Sequence, residues 1–201
     1  MQPVPDRPQE LAQTSGSTPA ATGQPETSGT GKSGAAGLWL RDLFISAIAS
    51  VVIITFLYQP VRVEGISMLP RLEDRDRLFI NKFLYHFSAI ERGDVVVFRY
   101  PRDPEKSYIK RVIALPGDHI RIDRGTVWLN EAPLHEDYVP ARYRDSRSMP
   151  EMVVPPDFYF VLGDHRNVAS DSREFGPVAR DLIYGKAVFV YWPAKDAGVV
   201  R

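Results

Sequence analysis

The 201-residue chain carries 25 basic and 25 acidic side chains, 44% apolar residues, 17 prolines and no cysteine. Zero formal charge argues against a general nucleic-acid binder. The lack of cysteine excludes a disulfide framework, a thiolate metal site and a cysteine nucleophile, and the length allows one moderate domain with added segments.

Residues 1–37 come first, and 29 of them are Pro, Gly, Ser, Thr, Ala or Gln. No helical or strand periodicity runs through them. Such a segment cannot bury enough surface to offset an ordering cost of roughly 1–2 kcal/mol per residue. It reads as a disordered polar tail.

Residues 38–59 are of another kind. From Leu43 to Tyr58, sixteen consecutive residues carry no charge, which as helix spans about 24 Å. Adding Leu38, Trp39 and Leu40 brings the span to about 31 Å, matching a hydrocarbon layer of about 30 Å. Arg41 can snorkel, Trp39 and Tyr58 sit where interfacial aromatics belong, and Pro60 is expected to stop the helix. The segment reads as a single transmembrane anchor, with a buried core helix as the competing reading. A cleaved secretory signal is disfavoured by the 37 polar residues before it and the absence of a small-residue cleavage site after Tyr58. Lys32 and Arg41 before the helix and Arg62 after it leave its orientation open.

Residues 60–201 show short β-branched and aromatic runs separated by Gly, Pro and Asp. V-R-V-E-G-I, D-R-L-F-I-N-K, D-V-V-V-F-R-Y, Y-I-K-R-V-I-A-L, H-I-R-I-D, T-V-W-L-N, F-Y-F-V-L and K-A-V-F-V-Y-W all read as strands. Their spacing predicts a mostly-β, antiparallel domain rather than βαβ units. F-L-Y-H-F-S-A and P-V-A-R-D-L read as short helical turns, and Asp123-Arg124-Gly125 as a tight hairpin turn.

Four histidines, His86, His119, His135 and His165, form no H-x-x-x-H or H-E-x-x-H pair, so a helical zinc site is unsupported. No G-x-S-x-G elbow occurs either. Two other places carry chemistry. In G-I-S-M-L-P, Ser67 stands at a strand end bracketed by Gly65 and Pro70. Met68 and Leu69 are expected to add apolar contact at the bilayer surface. In Y-I-K-R-V-I-A-L-P-G-D, strand alternation puts Tyr108, Lys110, Val112 and Ala114 on one face. Lys110 is then either buried or reaches out at the sheet edge. Burial would matter, because a free lysine, with a pKa of about 10.4, must lose about three units to act as a base near neutral pH. A neutral amine within about 3 Å of a hydroxyl can take its proton during attack on a carbonyl.

These blocks resemble the type I signal peptidases, membrane-anchored serine–lysine proteases. The resemblance runs in order over residues 40–192: a short anchor, S-M-L-P, R-G-D-V-V-V-F, Y-I-K-R-V-I-A-L-P-G-D and G-D-H-R-N-V-A-S-D-S-R-E-F-G. It implies a coiled antiparallel β-sheet catalytic domain over 60–201, Ser67 as nucleophile and Lys110 as general base. It also implies no cofactor or metal. The implied partners are the bilayer and preprotein signal peptides with small residues at the first and third positions before the cut. The implied location is the plasma membrane, single-pass, with the N-terminus cytoplasmic and the catalytic domain outside.

Three positions depart from the family pattern. Gly65 stands where many members have a serine lending its hydroxyl to the oxyanion hole. Ala169 replaces a serine that bonds the lysine, with Ser170 next to it, and Arg71 replaces a threonine. Asp171 and Arg173 match an acidic–basic pair expected to clamp the loop beside Lys110, and Tyr108 is expected to pack on the lysine. Arg111 is expected to support the site, while Asp164, His165 and Arg166 are expected to be structural. Two other readings compete. A self-cleaving, DNA-coupled serine–lysine protease is contradicted by the tail and anchor. A catalytically inactive tethered β domain that binds partners would draw on Gly65 and Ala169.

Overall fold

A computed structural model describes residues 32–200. Helix α1 spans Lys32–Leu57, starting six residues inside the segment assigned to the tail; the rest of that segment, 1–31, lies outside the described residues. Within α1, the apolar stretch Gly37–Thr55 has no buried residue and is, by length and composition, a candidate membrane span. A helix apolar all round and uncovered by protein suits lipid.

Helix α1 ends at Leu57, before Pro60. The residues that follow are the strands and turns β1 (Tyr58–Arg62), β2 (Arg77–Asn81), α2 (Leu84–Phe87), β3 (Val95–Tyr100), β4 (Asp103–Ala114), β5 (His119–Asp123), β6 (Thr126–Leu129), β7 (Ala132–Pro133), β8 (Met149–Val153), β9 (Phe158–Leu162), α3 (Ser172–Phe175), β10 (Val178–Ala179), β11 (Ile183–Trp192) and β12 (Gly198–Val199). Pro60 lies inside β1, paired with Phe79. As an edge strand, β1 tolerates a residue without an N–H. The predicted strand V-R-V-E-G-I is therefore shifted: β1 takes Y-Q-P-V-R, and the residues after Arg62 turn away. P-V-A-R-D-L likewise becomes the short strand β10 followed by a 3₁₀ turn at Arg180–Leu182.

The strands form two antiparallel sheets, as expected of the mostly-β reading. The larger has order β1-β2-β11-β3-β4-β9-β10, with β12 beside β11; the smaller is β7-β6-β5-β8. The β5–β6 hairpin turns at Arg124-Gly125, with φ of 48° and 80°, which is the backbone of a type I′ turn. Both faces of the large sheet are covered. Val95 and Val97 of β3 enter one core with Met68, Leu72, Leu78 and Ile80, and the alternating Val96 and Phe98 enter another with Val112 and Val161. A third core joins the end of β4 and β9 to the small sheet through Ile113, Phe160, Ile120 and Val127. Strand β4 is buried from Lys110 onward, and a polar side chain on that part of it is shielded from water.

Candidate active site

The segment between β1 and β2 carries Ser67. Its ends are knitted by Val63 N–H to Asp76 O (2.8 Å) and Arg75 N–H to Val63 O (3.0 Å). Gly65 has φ +92°, a conformation L side chains rarely adopt, and its N–H donates to Asp74 Oδ1 at 2.8 Å. Leu72 N–H donates to Met68 O at 3.0 Å, closing a turn after the serine. Met68 is 2% exposed and belongs to the core. This corrects its expected place at the bilayer surface: it anchors the turn from below.

Lys110 lies opposite Val96 in the β3–β4 ladder and is 4% exposed. Its Nζ is 2.7 Å from Ser67 Oγ and 3.0 Å from Ile109 O. Burial lowers its pKa to about 8, against the opposing pull of Asp171 and Asp164. Low-dielectric surroundings disfavour the ammonium, and the two carboxylates limit how far that goes. Tyr108 stacks on Tyr100 with centroids 4.6 Å apart, and Nζ stands 5.2 Å from the Tyr108 ring centroid.

The segment 163–173 closes the other side. Gly163 approaches so closely that a Cβ there would lie 2.6 Å from Ser67 O, 2.4 Å from Ala169 Cβ and 3.6 Å from Lys110 Cδ. Ala169 is therefore a buried, apolar neighbour of this corner and offers the lysine no hydroxyl. Ser170 lines the same cavity as Ser67 and Lys110, but among the described residues its hydroxyl bonds neither of them. What the amine finds instead is the main-chain carbonyl of Ile109.

Asp171 is fully buried. It caps α3 through Arg173 N–H, accepts from Gly163 N–H (3.1 Å), and pairs with Arg173 at 2.6 Å. Arg173 continues to Asp145 (2.7 Å), which also holds Arg147 (2.5 Å). Arg111 points away from the serine: its guanidinium forks onto Asp164 at 2.9 and 2.6 Å, donates to Gly93 O, and lies over the Tyr138 ring. Arg166 pairs with Glu136, which also accepts from Tyr138 Oη. Each buried charge in these pairs faces an opposite charge, as burial demands. These pairs fix the loop bearing Gly163, and Gly163 fixes the distance between loop and serine. Sequence reading missed Glu136, Asp145 and Arg147 because they lie outside the motifs. It also missed the contact of His165 with the serine turn, for which a histidine two residues after Gly163 was the only signal.

Beside Ser67 and Lys110 opens a cavity of about 610 Å³, flanked by Val61–Gly65 on one side and Glu105–Lys110 on the other. Val61 and Arg62 pair only with β2, while β9 pairs with β4 only from Arg111 onward. Both walls thus present strand edges with main-chain groups available to an extended peptide.

Residues 37–192 match the family model "Signal peptidase, peptidase S26". A signal peptidase I of Leptolyngbya laminosa is 38% identical over 167 residues, covering 79% of this chain and 81% of the relative. One from Bacillus amyloliquefaciens is 33% identical, covering 79% and 86%. A crystal structure of a signal peptidase I from Enterococcus faecalis V583 overlays with a TM-score of 0.44 at 29% identity, covering 49% of this chain and 97% of that one. With a family match over most of its length and relatives above 30% identity, the chain belongs to the signal peptidase, peptidase S26 family, whose members are membrane-anchored.

Proposed function

We propose that this chain is a serine endopeptidase that removes signal peptides from exported preproteins. The observation that carries the chemistry is a largely desolvated amine, Lys110 Nζ, 2.7 Å from Ser67 Oγ. An inactive tethered domain would draw support from a separation beyond about 5 Å, which this distance does not give. The substrate class comes from relatives named signal peptidase I.

A preprotein segment lies extended in the cavity between the two strand edges, its scissile carbonyl over Ser67. Neutral Lys110 accepts the hydroxyl proton as Oγ forms a bond to the carbonyl carbon, and the carbonyl electron pair moves onto oxygen. The Ser67 N–H stabilises that oxyanion. Collapse of the tetrahedral species breaks the C–N bond, and the ammonium returns the proton to the leaving amine. Water then attacks the acyl-enzyme with Lys110 again as base, releasing the signal peptide acid and free Ser67. The Asp171–Arg173 pair acts as a loop clamp, with Tyr108, Met68 and Arg111 holding the scaffold. Ser170 faces the substrate.

The chain is organised as a polar tail before helix α1, an anchor within α1 and a peptidase domain after it. The tail lies in the cytoplasm and the domain on the far side of the plasma membrane, where preproteins emerge. The test is a preprotein cleavage assay on the full chain in detergent micelles, with the new N-terminus sequenced. Ser67→Ala and Lys110→Met each abolish cleavage with the fold intact; more than trace activity in either defeats the dyad.

A further inference from the structure

The peptide unit joining Ile66 to Ser67 carries two groups that point in opposite directions, the Ile66 carbonyl and the Ser67 N–H, because the unit is planar and trans. Whatever holds the carbonyl also aims the N–H. His165 Nδ1 lies 3.0 Å from Ile66 O, and Leu69 N–H donates to the same oxygen at 3.2 Å. A carbonyl only accepts, so Nδ1 carries the hydrogen. The main-chain N–H of His165 donates in turn to Ser67 O at 3.0 Å. One residue therefore grips the carbonyls on both sides of the Ser67 Cα. The imidazole is itself steadied by Tyr143, edge to face at 4.5 Å between centroids and 71°.

The freed end of this arrangement is the Ser67 N–H, which has no hydrogen-bond partner among the described residues. No hydroxyl at position 65 can share its task, since that residue is glycine, and the Gly65 N–H is taken by Asp74. Oxyanion stabilisation then leans on one main-chain donor. Hydrogen bonds weaken steeply as the donor angle falls towards about 120°, so the tilt of a single peptide plane sets much of the rate.

We infer that His165 is a positioning residue whose Nδ1–H, by holding the Ile66 carbonyl, aims the Ser67 N–H at the oxyanion. This rests on the reading of Ser67 as nucleophile. The main-chain half of the grip survives any substitution at 165 other than proline, so a variant without the side-chain donor leaves the Ile66 carbonyl to Leu69 N–H alone and loosens the peptide plane without losing the loop.

The experiment compares His165→Phe, which keeps a ring against Tyr143 but no donor, with His165→Asn, which restores an N–H. The full chain is assayed in detergent micelles on a preprotein-derived peptide. His165→Phe is expected to lower kcat at least about ten-fold, part of the 10²–10³ seen when an oxyanion donor is removed outright, with KM within about two-fold. His165→Asn is expected to recover most of kcat. A second readout uses a peptide aldehyde: Ser67 Oγ bonds to its carbonyl carbon, the π pair moves to oxygen and the hydroxyl proton passes to Lys110. Its affinity should fall by the same factor as kcat/KM in His165→Phe, while that of an uncleavable reduced-amide peptide stays unchanged. Full kcat in His165→Phe, or equal weakening of both peptides, overturns the inference. Should His165→Phe not fold, His165→Asn decides: near-parent kcat supports the inference, and a large drop overturns it. Activity surviving in Ser67→Ala would locate the failure in the nucleophile assignment instead.

Discussion

Replacing Lys110 with methionine should stabilise the protein at neutral pH while removing its activity. A lysine titrating at 10.5 when unfolded and at about 8 when folded binds its proton more weakly in the native state. Between those two values the unfolded chain holds more protons, so the stability of the parent rises with pH across that window. Below pH 8 the full penalty applies, about 3 kcal/mol at 1.36 kcal/mol per pH unit. Methionine, of similar length and apolar, escapes it. Against that stands the loss of the bonds from Nζ to Ser67 Oγ and Ile109 O, about 1 kcal/mol net. Lys110→Met should therefore be about 2 kcal/mol more stable than the parent at pH 7. The advantage should shrink from pH 8 upward, and by about pH 10.5 it should reverse to about 1 kcal/mol in the parent's favour. Denaturant unfolding in detergent micelles, followed by tryptophan fluorescence between pH 6 and 10.5, measures the difference; other titrating groups cancel in it. Parallel curves for the two proteins, or a variant less stable at pH 7, would refute the reasoning, since either means the ammonium is not desolvated.

With Lys110 as the proposed base, kcat/KM should rise with pH and level off above an apparent pKa near 8, and a flat profile from pH 6 to 9 would exclude it. Gly163→Ala puts a methyl 2.6 Å from Ser67 O and 2.4 Å from Ala169 Cβ. It should cost about 1–3 kcal/mol and most of the activity, read by unfolding and cleavage together. Gly65→Ser, which adds a hydroxyl two residues before Ser67, must sit at φ +92°; a loss of about 1–3 kcal/mol is expected without a gain in kcat. Arg111→Met leaves Asp164 buried and unpaired, at about 3–5 kcal/mol. The double variant Arg111→Met/Asp164→Leu should regain most of that in the same unfolding assay.

Local pattern was enough for the elements whose burial follows their own periodicity. The apolar run after Gly37, the alternating valines of β3 and the Asp123–Thr126 hairpin could be read directly, because helix, strand and turn preferences act within a few residues. Strand β1 could not. Pro60 signals a stop in a chain read locally, and only its position on an open sheet edge makes it acceptable within a strand. Met68 was misplaced for a related reason: a methionine near an anchor looks lipid-facing until the turn that buries it is known.

The sequence by itself determined which groups could react, a serine beside the anchor and a lysine on a strand rich in valine and isoleucine, since residue types and their order are carried in the chain. Only the tertiary structure decided that the two meet at 2.7 Å across 43 residues. It also decided that burial brings the lysine pKa down to about 8 and that His165 grips the turn bearing Ser67. Distance, desolvation and the aim of a peptide plane are properties of packed neighbours far apart in the chain, and no local pattern encodes them.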